Sequence, residues 1–351
     1  GSRPPKDPAA RRLEVVGAPA GATLDELRRF QARLSPRAVR QMERVHDGLR
    51  HHLVPPPPKP QKLVLDVDRP EIRLGRKGRA TALVCFDGAH GEFWKARLGA
   101  GRGEVPFLKE CLSKVPGGFA RGRVQLRLDP SFASEPVVRY LDRAGVSYVA
   151  PAADDKALRA DARKARLREI SGGWAVGEME RRLHPIRATK GRYVVLRRRS
   201  SKKADGPAPT FADGRHAYHV FLVDRRTTPA RAWAAWSERA ASLQAERALL
   251  KGFGESPLLG RDRRSRAASF ATYVLGSDVL QWFKRAGLPE KERVAGHEAL
   301  RTDLLMLAPP GGKRETAVLV LPKKDRRRRL YRKVADRLSR LRPAGAFKLG
   351  R

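Results

Sequence analysis

Acid is in short supply in this sequence: 37 Asp plus Glu face 75 Lys plus Arg, leaving a formal charge of +38 over 351 residues. The excess is spread along the chain rather than confined to one tail. A compact fold with so much like charge repels itself, and neutralisation against phosphate with release of condensed counterions recovers free energy. Nucleic acid is therefore the first partner to consider, with a ribosomal or nucleoid-packing protein as the non-enzymatic alternative. Cysteine is nearly absent. Cys85 and Cys111 sit in apolar settings without CxxC spacing, which leaves a disulfide framework or a zinc site unsupported and makes both small core residues. No run approaches the roughly 18 apolar residues of a membrane span, and the N-terminal region lacks the apolar stretch of a signal peptide. The expected location is the cytoplasm, close to DNA, with no membrane partner.

Two apparent sites lack an essential part. His46, His51 and His52 have no Cys or carboxylate partner at ligand spacing and read as a solvated helix end. The Gly-rich run from Gly99 to Gly103 is not followed by Lys-Ser or Lys-Thr, so a phosphate-binding P-loop is not supported.

Hydrophobic residues make up 41% of the chain, enough to bury a core in one large or two ordinary domains. Thr23 can cap a first helix through Leu27 and Phe30, and Ser35 a second carrying Val39, Met42, Val45 and Leu49. Pro55 to Pro58 then form a stiff extended linker, closing an N-terminal helical segment over 1–58. Strands are expected at 63–68, 81–86 and 92–98, a helix at 105–115, a strand at 124–128, a helix at 135–144 and a strand at 147–150. The order β-β-β-α-β-α-β describes an α/β mixed sheet, three antiparallel strands followed by crossover units, and it is the order of an RNase H-like fold. Residues 59–155 thus form the first part of the core.

A basic helix over 154–169 and strands within 174–223 make 156–228 a strand-rich insertion, with 197–209 as a charged loop. One uninterrupted helix over 229–251 and another over 267–286 place the completion of the core in 229–290. The basic segment 291–351 carries expected strands at 304–307 and 317–321 and a helix at 326–341. There is no internal repeat.

Two carboxylates stand where this topology can use them. Asp68 ends the first expected strand and Asp129 the fourth, and these strands lie side by side in such a sheet. Convergent carboxylates suit Mg2+, a hard cation that prefers oxygen ligands, with Mn2+ as a substitute; two-metal sites of this kind carry out phosphoryl transfer. The structural alternative is that each is an ordinary strand-end turn residue.

At these residues the sequence resembles a known family. Leu65-Asp-Val-Asp68 is similar to the Leu-Asp-x-Asp-Ser-Thr strand of insertion-sequence DDE transposases, and the segment from Phe86 to Leu98 to the strand pair that follows it. Leu126-Arg-Leu-Asp-Pro-Ser-Phe132, trailed by Tyr140 to Tyr148, resembles the family's Arg-x-Asp-Ser-Gly-Phe segment, and Tyr218 to Asp224 also has a counterpart. The resemblance covers roughly residues 60–340. It departs at Arg69-Pro70, where the family has Ser-Thr, at Pro130-Ser131, where it has Ser-Gly, and in the short segment between the first two strands. The family's last catalytic helix carries Tyr, two residues, Arg, three residues, Glu. Here Trp236 and Arg239 match the first two, but Leu243 stands where Glu belongs. Glu246, one turn on and near the same face, is the candidate third ligand; its alternative is a solvated Glu beside Arg247, and Glu238 is a further choice.

The resemblance implies an Mg2+-dependent transposase of a prokaryotic cell, associated with the nucleoid and acting as a homodimer on paired element ends. It would hydrolyse phosphodiester bonds and join the freed 3′-hydroxyl to target DNA, with Asp68, Asp129 and Glu246 as catalytic metal ligands. The alternative is a transposase-derived DNA-binding protein without catalysis.

Expected contacts to double-stranded DNA are Arg197, Arg198, Arg199, Lys202, Lys203, Arg239, Lys251, Arg263 and Arg264, with Trp236 bordering the DNA end as the resemblance implies. Further basic runs lie at Lys323-Lys324 and at Arg326 to Arg329. Such side chains supply affinity and register rather than base reading. Trp233, Trp236 and Trp282 stand at core-like spacing, and packing is their alternative role.

Overall fold

The structure is a computed structural model, and it describes residues 24–53, 62–74, 78–99, 103–116, 119, 121–183, 190–200, 208–254, 262–290, 293, 330, 333–334 and 337. The chain divides into two compact units, Gly1–Pro55 with Ser256–Arg351, and Pro56–Glu255.

The described elements of the first unit are helices. Helices α1 (Leu24–Arg33) and α2 (Pro36–Leu53) open it, and Ser35 caps α2 by accepting the amide of Ala38 at 3.1 Å. The unit also holds the long helix Arg263–Gly287, whose N-cap Asp262 accepts the amides of Arg264 and Ser265. This helix packs on both α1 and α2. The sequence grouped it with the segment completing the sheet domain; the structure joins it to the N-terminal helices instead.

The second unit is an α/β domain around one mixed sheet. Its elements are β1 (Leu63–Asp68), β2 (Glu71–Leu74), β3 (Gly78–Asp87), β4 (Phe93–Leu98), α3 (Glu104–Ser113), β5 (Val124–Leu128), α4 (Glu135–Ala144) and β6 (Ser147–Pro151). There follow α5 (Lys156–Lys164), β7 (Arg168–Ile170), β8 (Trp174–Arg182), β9 (Lys190–Arg199), β10 (Phe211–Ala212), β11 (His216–Val223), α6 (Pro229–Ser237) and α7 (Ala240–Gly254), so that Arg263–Gly287 is α8. Among the described residues the sheet has 11 strands in the order β2-β3-β1-β5-β6-β11-β9-β8-β7, with β4 paired to β3 and β10 to β11. Strand β1 is antiparallel to β3 and parallel to β5, and β5 is parallel to β6; the strands of 174–223 extend the same sheet through an antiparallel β6–β11 pair.

Alternation along the strands separates two faces. Leu65, Val67, Leu126 and Leu128 face a core shared with Phe107, Leu108 and Cys111 of α3 and Val137, Val138 and Leu141 of α4. A second apolar cluster holds Val149, Val194, Leu196, Phe221 and Val223 with Ala232 and Ala235 of α6. Both cysteines are buried and neither is in a disulfide.

Several elements differ from the sequence expectation. The single helix over 229–251 is broken: α6 ends with Glu238 as C-cap, at φ −87° and ψ 19°, and α7 starts at Ala240. Neither Pro nor Gly marks this break; it draws Arg239 into buried ion pairs. The basic helix over 154–169 stops at Lys164, and Arg168–Ile170 is a strand. Arg197, Arg198 and Arg199 belong to β9 rather than to a loop, because β8 on one side and β11 on the other supply backbone partners that local composition does not reveal. Strand β2 was not expected; with Pro70 accepting the amide of Ala82, β1 and β2 follow one another along β3. The strands expected at 304–307 and 317–321 lie outside the described residues, and of the helix expected at 326–341 only Leu330, Lys333, Val334 and Arg337 are described, all helical.

Candidate active site

Residues two apart on a strand share a face, so Asp66 and Asp68 of β1 point away from the core built on Leu65 and Val67. In the parallel β1–β5 register Asp66 is the partner of Arg127 and Val67 of Leu128. Asp129 follows at once, its amide bonded to the carbonyl of Val67 at 2.8 Å. The C-terminal ends of two neighbouring strands thus carry Asp68 and Asp129 side by side. Asp129 also caps the turn Pro130–Phe132, its Oδ1 accepting the Ser131 amide at 2.9 Å.

Arg127 is fully enclosed. Its Nε and Nη2 donate to the two oxygens of Asp66 at 2.5 and 2.6 Å, Nη1 to the Ala235 carbonyl at 2.9 Å and Nη2 also to the Gly88 carbonyl at 3.1 Å. One side chain therefore ties β5, β1, the β3–β4 turn and the end of α6 together. Gly88 is needed there, since a Cβ would stand 2.4 Å from Arg127 Nη2. Gly91, at φ +68°, comes equally close to α7: a Cβ on it would meet the Ala241 carbonyl at 2.6 Å.

Arg239 occupies the break between α6 and α7 and is only 4% exposed. Its Nη2 reaches both Asp68 oxygens, at 2.5 and 2.7 Å, and its Nε lies 3.3 Å from Asp66 Oδ1 without the alignment of a hydrogen bond. Its guanidinium carbon sits 4.2 Å from the centre of the Trp236 ring. The Arg239 carbonyl accepts from the Leu243 amide and the Ser242 hydroxyl, so the first turn of α7 anchors this residue.

Glu246 is half-buried on α7, whereas Leu243 is 39% exposed. Burial, then the negative charge of Asp68, pushes the Glu246 carboxyl up to about 7, with Asp129 adding to the effect. Burial likewise pushes Asp68 up to about 6, against the pull of Arg239. For Arg239, burial disfavours the cation, but the charges of Asp68 and Asp66 outweigh it and the guanidinium stays more firmly protonated than usual. Four carboxylates, Asp66, Asp68, Asp129 and Glu246, stand with two guanidinium groups, Arg127 and Arg239, and burial first, then the neighbouring acid, favours protons on Glu246 and Asp68.

The donors are of the type Mg2+ prefers, but their arrangement does not suit it. Asp68 and Asp66 are each engaged by a guanidinium, and among the described residues no three His, Cys, Asp or Glu side chains are gathered so as to hold a metal ion. Mg2+ demands near-octahedral oxygen coordination at about 2.0–2.1 Å.

The expected DNA contacts are scattered. Arg199 and Lys251 are exposed on the sheet unit, while Arg197 pairs with Glu169 at 2.8 Å and Arg198 lies 5.1 Å from the Trp174 ring centre. Arg263 and Arg264 are exposed at the start of α8 in the other unit. Lys202, Lys203, the runs at 323–324 and 326–329, and nearly all of 291–351 lie outside the described residues. Trp236 is half-buried against Phe221, 6.0 Å between rings, and Trp233 packs on His219 at 4.8 Å. Burial, then the charge of Arg198, pushes His219 down to about 4, so this cluster is neutral at its centre.

Asp66 and Arg127 escaped the sequence reading as site residues. Their signal was present in the Asp-x-Asp and Arg-x-Asp patterns on two strands, but only the parallel register shows that the extra acid and the base pair with each other. No protein-family model matches the chain, and no curated protein matches it either.

Proposed function

We propose that the chain is a DNA-binding protein of DDE-transposase type, with an RNase H-like core that engages element-end and target DNA. The observation that carries this reading is the parallel β1–β5 pair, which sets Asp68 beside Asp129 next to the helix that bears Glu246. Strand order supports the same reading: β4, β3 and β1 are antiparallel neighbours, and β5 and β6 then run parallel to β1 with α3 and α4 in the connections. The formal charge of +38 supports a polyanionic partner. Homodimers on paired ends and association with the nucleoid belong to this proposal; for the membrane, no helix among the described residues is long and apolar enough to cross one.

Arg239 on Asp68 and Leu243 at the position of the family's Glu favour a protein that holds DNA without cutting it. A second reading, a working transposase that hydrolyses and transfers strands with Asp68, Asp129 and Glu246 and Mg2+ or Mn2+, is favoured by the electrostatic coupling of Glu246 to both aspartates.

The test is binding of double-stranded DNA across a salt series. Log affinity should fall steeply with log salt, by about 0.9 per phosphate neutralised; an affinity indifferent to salt would remove the reading. Incubation with a panel of DNA ends and Mg2+ separates the alternatives. Binding without nicking supports the non-cutting protein, whereas nicking lost in Asp129→Asn with binding retained supports the enzyme.

A further inference from the structure

We infer that Arg239 is a built-in counter-charge that occupies Asp68 in place of a divalent cation, so that this chain keeps its carboxylate site closed to metal. The inference rests on the reading of Asp68, Asp129 and Glu246 as a phosphoryl-transfer site, and it adds what holds that site shut.

Three observations carry it. Both Asp68 oxygens accept from one nitrogen of Arg239, at 2.5 and 2.7 Å, and the same guanidinium stands 3.3 Å from Asp66. A metal on Asp68 would have to displace a cation already in contact with two carboxylates. Secondly, the Arg239 backbone is anchored at the α6–α7 break by the first turn of α7, and its guanidinium lies 4.2 Å from the Trp236 ring centre. The charge is thus delivered by a fixed element, and a face-on aromatic contact strengthens its hold. Thirdly, the other buried acid is already neutralised: Arg127 takes both oxygens of Asp66 and is held in turn by two backbone carbonyls. Asp129 and Glu246 are the remaining carboxylates of this site, and among the described residues no three His, Cys, Asp or Glu side chains are gathered so as to hold a metal ion.

The ion is permanently charged and covalently part of the chain, so it cannot be washed out or titrated away near neutrality. Guanidinium and metal compete for the same oxygens, and the resident competitor has an effective concentration set by the fold rather than by solution.

Mn2+ serves as the probe, followed by electron paramagnetic resonance on the full-length chain without DNA. The wild type should bind no Mn2+ at Asp68 at millimolar metal. Arg239→Gln should gain one bound Mn2+ per chain, at least about tenfold tighter than any wild-type site, and the double variant with Asp68→Asn should lose it again. Arg239→Lys, which keeps the charge, should stay metal-free. Wild-type binding that disappears in Asp68→Asn would overturn the inference, as would an Arg239→Gln protein that is folded by circular dichroism yet gains no metal. Should Arg239→Gln fail to fold, the wild-type thermal midpoint decides: no Mn2+-induced rise is expected, and a rise abolished by Asp68→Asn overturns the proposal. DNA affinity is measured separately, so failure of the DNA-binding reading leaves these metal readouts intact.

Discussion

The Asp66–Arg127 pair is the most enclosed polar contact at the site, with side-chain exposures of 0% and 2%. A buried ion pair contributes little against a hydrophobic substitute, but removing one partner strands the other charge and costs about 3–5 kcal/mol. Asp66→Ala should therefore lower the thermal midpoint by roughly ten degrees, at about 2–4 °C per kcal/mol for a domain of this size; a shift under about two degrees would mean that Arg127 finds another partner. Glu246 makes a pH prediction. Its folded pKa, about 7, lies above the ordinary carboxylate value, as does that of Asp68 at about 6. The folded state then binds more protons than the unfolded one between about pH 4.5 and 7, so stability should fall as pH rises through that window and level off above it. Glu246→Gln should flatten the upper part of the curve and stabilise the protein at pH 8, as read by chemical denaturation at several pH values. An unchanged slope would place Glu246 away from the aspartates. Alternation along Leu63–Asp68 and Val124–Leu128 makes the orientation of Asp68 and Asp129 legible from sequence. The roles of Arg239 and Arg127 are not, because a guanidinium chooses its carboxylate through contacts 171 and 61 residues apart.

Elements with a strong local signal agree closely between sequence and structure. Val124–Leu128 and Glu135–Ala144 stand where the strand and helix patterns put them, the helix closed by Gly145 at φ +65°. The failures share one cause, tertiary contact overriding a smooth local pattern. An Ala-rich stretch with no stop signal is broken where Arg239 enters the site, and an arginine run becomes the end of β9 because two strands flank it. In the helical unit, His46 of α2 was read as a solvated helix end, yet its Nε2 is 2.6 Å from Asp278 of α8 and its ring 5.5 Å from Trp282. Burial opposes protonation of His46, but the bonds and charges of Asp278 and Asp47 outweigh it and raise its pKa above 6.5. The imidazolium therefore adds stability that is fully present below pH 6.5 and is lost as pH rises through the raised value. Thermal unfolding at pH 6 and pH 8 should show a fall in midpoint that is smaller in His46→Gln than in the wild type. An equal fall in both proteins would remove the charged His46–Asp278 bond.

At the scale of the whole molecule, composition raises the expectation of a polyanionic partner and the run Pro55 to Pro58 that of a boundary, whereas the division before Ser256 depends on which helices pack together. The sheet has a consequence of its own. The strands of 174–223, expected as an insertion, share one unbroken hydrogen-bond ladder with β1, β5 and β6 through the β6–β11 pair. Opening the insertion would then expose β6, so the two regions should lose protection together in amide deuterium exchange. The slowest amides are expected in β5, β6 and β11, each flanked by strands on both sides and largely buried, and the fastest sheet amides in β7, a three-residue edge with every residue exposed. Early exchange of β8, β9 and β11 as a block, with β5 and β6 still protected, would show two cooperative bodies. A single exchange front retreating from β7 toward β5 would instead mark the ladder as one elastic unit, able to carry a strain applied at its outer edge as far as the strand ends that bear the aspartates.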